Sequence, residues 1–402
     1  MKSYDIIIVG GGAAGFFTAI NAAENNPSLK ILILERGKEV LSKVRVSGGG
    51  RCNVTHAEFI PKDLTKKYPR GEKELLGPFH KFMTGDTIAW FQKRGIELKT
   101  EEDGRMFPIT DSSETIIHCF LSECKRLKIE IQKGHTLKKL EKQEQRWFLE
   151  TNSAAFITQK VMLATGSNPK IWQLMQASGH TIIDAVPSLF TFNIKDKRIE
   201  NLAGIATEAE VKIIESNLES SGPLLITHWG MSGPAILKLS AWGARELNAF
   251  NYHFIISVNW IAGESIPSTL EILKKIKMEF AKQQVTTRPQ FELPKRLWQS
   301  IVEASEIRVA EKWADLNKIQ LQTLAEQLCQ AKFKVEGKST FKEEFVTAGG
   351  IDLKEVDFKT FESKILKNLF FAGEILNIDA ITGGFNFQNA WTGGYLAAKA
   401  MS

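Results

Sequence analysis

The chain opens on an uninterrupted apolar run, Ile6-Ile7-Ile8-Val9, followed by glycines at positions 10, 12 and 15. A continuous run rich in β-branched residues predicts a strand covered on both faces, as in a parallel sheet. Phe16 to Ala23 then reads as a helix, and Lys30–Leu34 as a second buried strand ending in Glu35, 20 residues after Gly15. Helical periodicity returns over 84–94, where Gly95 is placed to end it, and over 112–125. Short strand-like runs occupy 129–132, 136–140 and 146–150, and Val161–Ala164 is another buried strand, stopped by Thr165-Gly166. Residues 61–80, basic and broken by Pro61, Pro69 and Pro78, read as a solvated surface connection.

The pattern changes near residue 186. Alternating runs at 189–194, 208–214, 224–227 and 253–258 predict an antiparallel sheet or small barrel. From 268 to 331 the apolar positions fall at helical spacing, as in Leu270, Leu273 and Ile276, or Leu321, Leu324 and Leu328. The last sixty residues return to the opening texture. Leu366–Phe371 reads as a strand followed by Ala372-Gly373-Glu374, and residues 388–400 as a small-residue helix behind a glycine-rich turn. The expected class is therefore α/β, a split Rossmann-like domain with an inserted domain of β-barrel and helical bundle. The expected boundaries are 1–185 and 343–402 for the two parts of the first domain. The insert, a substrate or lid domain, spans 186–342, with a barrel over 186–262 and helices over 263–342.

The glycines carry the first candidate chemistry. Gly10 makes a tight turn, Gly12 lets backbone approach a pyrophosphate, and Gly15 lets the helix pack close to the strand. With Ala13 and Ala14 they form the start of a helix, where free N–H groups and the helix dipole favour a diphosphate. Glu35 stands where an acid accepts the ribose hydroxyls of an adenosine half, with Arg36 and Lys43 as flanking candidates. The alternative is a glycine-rich turn with a solvated glutamate. Ser47-Gly48-Gly49-Gly50-Arg51-Cys52-Asn53 is a second place for backbone to lie against a flat or anionic ligand. Thr165-Gly166 ends a strand whose tip meets the cofactor crevice of such folds.

Composition narrows little. A formal charge of +6 permits anionic ligands without calling for nucleic acid, and a charged fraction of 24% is ordinary for a globular protein. No apolar run approaches the ~18 residues that span a bilayer. Four cysteines without a framework, and a strand three residues from the N-terminus, point to the cytoplasm with no membrane partner. Cys119 and Cys124 share the spacing of a redox pair, but on a helix they face different ways and read as ordinary buried cysteines. The seven histidines show no metal-ligand spacing, so no metal is expected.

Together these pieces resemble the bacterial aminoacetone-oxidase-like (BaiN-type) flavoproteins, within the glutathione-reductase-like FAD fold. The carrying residues are Gly10–Gly15, Ser47–Asn53, Gly104–Pro108, Thr227–Pro234, Thr347–Gly350, and Gly373-Glu374 with Thr382–Ala390. The resemblance implies non-covalent FAD, a small-molecule substrate, and a FAD domain split by an insert. It implies that Leu137 meets the adenine through its backbone and that Glu374, after Gly373, meets the ribityl or pyrophosphate region. It brings Gly384, Phe385, Asn386, Gln388, Asn389 and Ala390 toward the isoalloxazine. His56 departs from the family's usual Asn, and Asn377-Ile378-Asp379 is a looser version of its acidic stretch. The expected activity is a FAD-dependent oxidoreductase moving a hydride between a small organic substrate and flavin. The alternatives are an RNA-modifying or transferase flavoprotein and a passive FAD binder. NAD(P)H is a candidate donor, although only one dinucleotide fingerprint is present. Arg51, Cys52 and His228 are the candidate catalytic residues: Cys52 for a thiolate beside Arg51, His228 as an acid next to Trp229 as an aromatic wall.

Overall fold

The structure, a computed structural model, describes residues 1–339 and 346–402. It divides into two compact units, one made of Met1–Val186 with Lys342–Ser402 and the other of Pro187–Phe341. The expected return boundary at 342–343 lies outside the described residues.

The centre of the first unit is β1 (Lys2–Val9), whose Ile6, Ile7 and Ile8 are fully buried. It pairs in parallel with β2 (Ile31–Glu35) on one side, Ile7 opposite Leu32. On the other side it pairs with β4 (Ala155–Leu163), Ile7 opposite Val161. Outward from these lie β3 (Glu130–Lys133) beside β2, and β5 (Leu369–Phe371) beside β4, both parallel. The continuous apolar sequence of these strands follows from burial on both faces. A hairpin, Leu137–Gln143 with Arg146–Thr151, runs antiparallel against the start of β4.

Two helices define where a ligand can lie. α1 (Ala13–Asn25) follows β1, and α2 (Phe385–Met401) closes the unit against it. Small residues make the approach possible: a Cβ added to Gly394 would lie 3.1 Å from the Ala14 carbonyl and the Thr18 hydroxyl. Behind both helix starts sits an aromatic cluster, with the Phe17 ring 4.5 Å from Trp90 and 5.2 Å from Trp391. Trp391 is fully buried and donates its indole N–H to the Val54 carbonyl at 2.9 Å, so it is core.

Residues 61–80 overturn the expectation of a solvated connection. They contain helices Pro61–Thr65 and Glu72–Phe79 and bury Leu64, Tyr68, Leu75 and Phe79. Proline suits the first turn of a helix, which is where Pro61 stands. The prolines punctuate a packed segment.

In the second unit an antiparallel path runs through Ala331–Glu336, His253–Asn259, Ala206–Ile213, Glu219–Thr227, Gly230–Ser232 and Thr191–Asn193 to Lys338–Ser339. The first and last members are consecutive in the chain across Gly337, so the path returns to its start. Strand alternation explains its inner face: Ala209, Val211 and Ile213 are buried while Glu208, Glu210 and Lys212 are exposed. Helices Ile266–Glu279, Lys295–Ala304 and Lys318–Cys329 follow, the second burying Leu297, Trp298, Ile301 and Val302 on one face.

Candidate functional site

The tips of β1, β4 and β5 meet at one end of the sheet. Gly10, at φ +117°, sits where a Cβ would lie 2.2 Å from the Ala164 carbonyl. Gly15 lies where one would be 2.0 Å from the Gly10 carbonyl. Neither position tolerates a side chain without moving backbone. Gly12 is the N-cap of α1 and caps it with no side chain, and a Cβ there would meet nothing within 4 Å. The first N–H groups of α1 therefore border open space.

Glu35 is fixed beside this turn. One carboxylate oxygen accepts the Gly11 N–H at 2.8 Å and the other the Gly37 N–H at 2.7 Å. Each keeps lone-pair capacity for a ribose hydroxyl. Arg36 is exposed. The 134–137 segment runs alongside, with the His135 N–H donating to the Glu35 carbonyl at 2.8 Å, and Leu137 opens the hairpin buried. Across the sheet tips, Gly166 is at φ +62°, and a Cβ there would be 3.8 Å from a Glu374 carboxylate oxygen. Glu374 follows Gly373, whose own Cβ would be 3.5 Å from that of Ala14, and it forms an ion pair with Lys43. Thr165 is half-buried at the same tip.

The Ser47–Asn53 loop makes the second cradle. Its chain leaves the helix at Ser47, and Gly48 and Gly49 take left-handed conformations. Added Cβ atoms on Gly49 and Gly50 would meet nothing within 4 Å. Arg51 is tethered: its guanidinium bonds Glu101 at 2.5 Å and stacks 3.9 Å from the Phe107 ring. Cys52 is fully buried, and burial pushes its thiol up to about 12, so it is a protonated thiol at neutral pH. Cys119 and Cys124 are also buried free thiols, pushed up to about 11 and about 12. The Asn53 amide donates to the Thr55 carbonyl and accepts the Gly384 N–H, both at 3.0 Å. It thereby joins this loop to the start of α2.

That start is held from several directions. Gly384, the N-cap at φ +89°, is where a Cβ would lie 2.7 Å from the Thr55 carbonyl. Tyr68 donates its hydroxyl to the Phe385 carbonyl at 2.6 Å, and the Ile381 N–H donates to the Lys67 carbonyl at 3.0 Å. Arg70 grips the fully buried Asp379 through both carboxylate oxygens. Asn386 accepts the Ala380 N–H at 3.0 Å. His56 packs its ring 4.5 Å from Phe385, with Nδ1 3.1 Å from the Gly383 carbonyl. That carbonyl can only accept, so Nδ1 carries the proton, and burial holds the ring below the usual histidine range and neutral. The Gln388 amide is engaged by Thr55, Thr87 and Thr392, its N–H donates to the Gly384 carbonyl at 3.0 Å and its own carbonyl accepts the Thr392 hydroxyl at 2.8 Å, so this residue braces the start of α2.

Ala390 and Asn389 complete the span. Asn389 is 1% exposed, yet its amide oxygen has no hydrogen-bond partner. An unpaired buried acceptor costs roughly 1–3 kcal/mol. A donor on a bound ring system would satisfy it, and together with the open space over Gly12, Gly49 and Gly50 this fits an extended flavin dinucleotide. The sequence did not mark Tyr68 or Arg70 as parts of this arrangement, and it marked Asp379 only as the end of the family's acidic stretch. His228 stands in the second unit, exposed beside Trp229 on a hairpin.

A parallel sheet with a bare glycine-turned helix start, an anchored acid on the next strand and an open glycine cradle joined to a second helix start defines a FAD-binding oxidoreductase of the Rossmann type. Residues 4–400 match the HI0933-like protein Rossmann domain, and the chain belongs to that family. The resemblance read from the sequence therefore holds, and FAD is the cofactor. Ribosomal RNA dihydrouridine synthases of Haemophilus influenzae and Escherichia coli K12 are 28% and 26% identical to it, over 98% and 99% of this chain and 98% of each of theirs. A 3-dehydro-bile acid delta(4,6)-reductase of Clostridium scindens is 27% identical over 98% of both chains. Among solved structures, the 3-ketosteroid-delta4-(5alpha)-dehydrogenase of Rhodococcus jostii RHA1 shares the fold at a TM-score of 0.50 and 11% identity, over 99% of this chain and 97% of that one. No helix among the described residues is long and apolar enough to cross a membrane.

Proposed function

We propose that this protein is a FAD-dependent reductase of carbon–carbon double bonds conjugated to a carbonyl. The names of its relatives support that reading. A delta(4,6)-reductase saturates ring alkenes, and a dihydrouridine synthase saturates the C5–C6 bond of a uracil, which is conjugated to the C4 carbonyl. One chemistry covers both: a hydride, which carries the two electrons, to the β-carbon and a proton to the α-carbon. Bound FAD would supply the hydride-transfer chemistry, with a donor such as NAD(P)H as the source of the hydride.

The observation that carries the proposal is the bare start of α1 together with the open glycine cradle at Gly49 and Gly50 that adjoins the start of α2. The α1 N-terminus and Lys43 balance the diphosphate, and Glu35 takes the ribose hydroxyls. Gly383, Gly384 and the α2 N-terminus, with the unpaired Asn389 oxygen, take the ring end. Cys52, buried and protonated, has a packing role in this reading, and Arg51 shapes its loop. We read residues 186–342 as the inserted substrate domain, a barrel over 186–262 followed by helices. Support comes from the strand path that closes on itself. No second dinucleotide fingerprint is present, so NAD(P)H enters the substrate crevice and binds weakly.

A free enone and a uracil held in RNA both fit this chemistry. The RNA reading is favoured by two relatives of that name that align over 98% or more of this chain, and the net charge of +6 is compatible with it. The test is to reduce the enzyme anaerobically and add either a 3-oxo-4-ene steroid or an unmodified ribosomal RNA transcript. Return of the yellow absorbance with saturated product is expected from one of them. If neither reoxidises the enzyme while dioxygen does, the alkene reductase reading fails.

A further inference from the structure

The second unit holds one large aromatic side chain out to solvent on a fixed frame. Trp229, 62% exposed, follows His228 in the two-residue connection between Glu219–Thr227 and Gly230–Ser232. Two-residue hairpins ordinarily use Asn-Gly or similar pairs; here the connection is His-Trp.

The tip is not loose. The Trp229 N–H donates to the Thr227 hydroxyl at 3.3 Å, and that hydroxyl donates to the Gly230 carbonyl at 3.2 Å. The Ile194 N–H donates to the Trp229 carbonyl at 2.9 Å. Gly230, at φ +143°, lies where a Cβ would be 2.2 Å from the Phe192 carbonyl, so the neighbouring strand presses directly on the turn. The backbone that presents the indole is therefore fixed, and the side chain itself has only two χ angles to order on contact.

The strand bonded to this tip continues into basic sequence. Lys195 and Lys197 are exposed one and three residues beyond Ile194; neither has an ion-pair partner within 4 Å among the described residues, although Lys195 acts on the Glu336 carboxylate from farther off. Asp196 between them is engaged by Arg198, which bonds both its carboxylate oxygens at 2.9 and 2.7 Å. Glu336, the acid nearest in sequence on the adjoining strand path, pairs with Lys334 at 3.0 Å. A protein partner or a bilayer calls for contiguous apolar area around such an anchor. An exposed indole on a fixed turn, with two exposed lysines just along the segment that bonds it, matches an unpaired base and its flanking phosphates.

We propose that the His228–Trp229 tip is a stacking platform for an unpaired base of RNA, with Lys195 and Lys197 against the adjacent phosphates. This rests on the RNA reading of the function. The experiment uses the full-length FAD-loaded enzyme and a fluorescein-labelled single-stranded segment of ribosomal RNA, followed by anisotropy at two or more salt concentrations. Base–aromatic stacking predicts that W229A weakens binding about tenfold or more and that W229F keeps most of the affinity. W229L, apolar but without a π-face, should fall with W229A. The double variant K195Q/K197Q should flatten the salt dependence by about 1.4 in log–log slope, two phosphates at about 0.7 each. FAD content and melting temperature report any folding defect, and the ranking of W229F over W229L decides the matter if W229A is damaged. Equal binding by W229L and W229F, or an unchanged salt slope, would overturn the platform while leaving RNA as a substrate. Wild-type enzyme with no measurable RNA affinity at low salt would remove the RNA reading and the platform with it.

Discussion

The two helix starts of the FAD unit solve similar problems in opposite ways. α1 begins behind Gly12 with no side-chain cap, and its geometry depends on glycines within the same dozen residues. α2 begins behind Gly384 and is wired by Asn53, His56, Tyr68, Arg70 and Thr55, all more than 300 positions earlier in the chain. The first is a local device that any chain with the right glycines can build. The second is a tertiary assembly, and it is the one that the reacting ring would meet. On the proposed reading, the contrast assigns affinity for FAD and control of its chemistry to separable parts of one unit.

The largest expected effect separates them most sharply. Arg70→Met leaves the Asp379 carboxylate buried without its bidentate partner, a change that costs about 3–5 kcal/mol in comparable buried pairs. Urea unfolding should show that loss, and the visible spectrum of whatever FAD remains should shift, because the loop entering α2 is released. A stability loss below about 1 kcal/mol would mean that the pair does not hold the loop. A smaller and cleaner effect is expected on the α1 side. Glu35→Ala removes charge-assisted hydrogen bonds worth roughly 1.5–3 kcal/mol, weakening FAD by about ten- to a hundredfold. Ultrafiltration would measure this, and at saturation the spectrum should match wild type. An altered spectrum in that variant would break the proposed division of labour.

The smallest effect is a pH dependence. His56 beside α2 and His180 against Phe371 are both held below the usual histidine range, mainly by burial. Both are neutral when folded, whereas the unfolded chain takes up protons near pH ~6.5. Their contribution is fully present above that value and is lost as pH falls below it toward the folded pKa values. His56→Gln should remove part of this slope without affecting FAD affinity at pH 8. A slope identical to wild type would show that His56 already carries its proton in the folded state.

The same contrast explains what the sequence disclosed. Gly10, Gly12, Gly15 and Glu35 sit close together in the chain, so spacing alone places them. The alternation of 206–213 and the helical spacing of 318–329 were legible for the same reason, since each period is local. Tyr68 and Arg70 were not legible. They stand in a proline-broken basic stretch, and their partners Phe385 and Asp379 lie 317 and 309 residues away. Nothing in local pattern marks a tyrosine whose hydroxyl closes the first turn of a distant helix. Cys52 misleads in the opposite direction. A thiol next to an arginine in a glycine loop looks activated, but its neighbour's charge is drawn off by Glu101 and its own sulfur is fully buried.

The position of β5 and α2 late in the chain sets a timetable for the protein's synthesis. Until Leu369–Phe371 leaves the ribosome, β4 presents an open edge on the side where β5 will pair. Until Phe385–Met401 follows, the small-residue face of α1 has no cover. The second unit, Pro187–Phe341, is already outside by then and has its own hydrophobic core. The nascent FAD unit must therefore wait, half-built and aggregation-prone, through the synthesis of an entire intervening body. A polypeptide released before Phe385–Met401 therefore keeps its glycine turn but lacks the segment proposed to hold the ring, and any FAD it takes up should sit loosely.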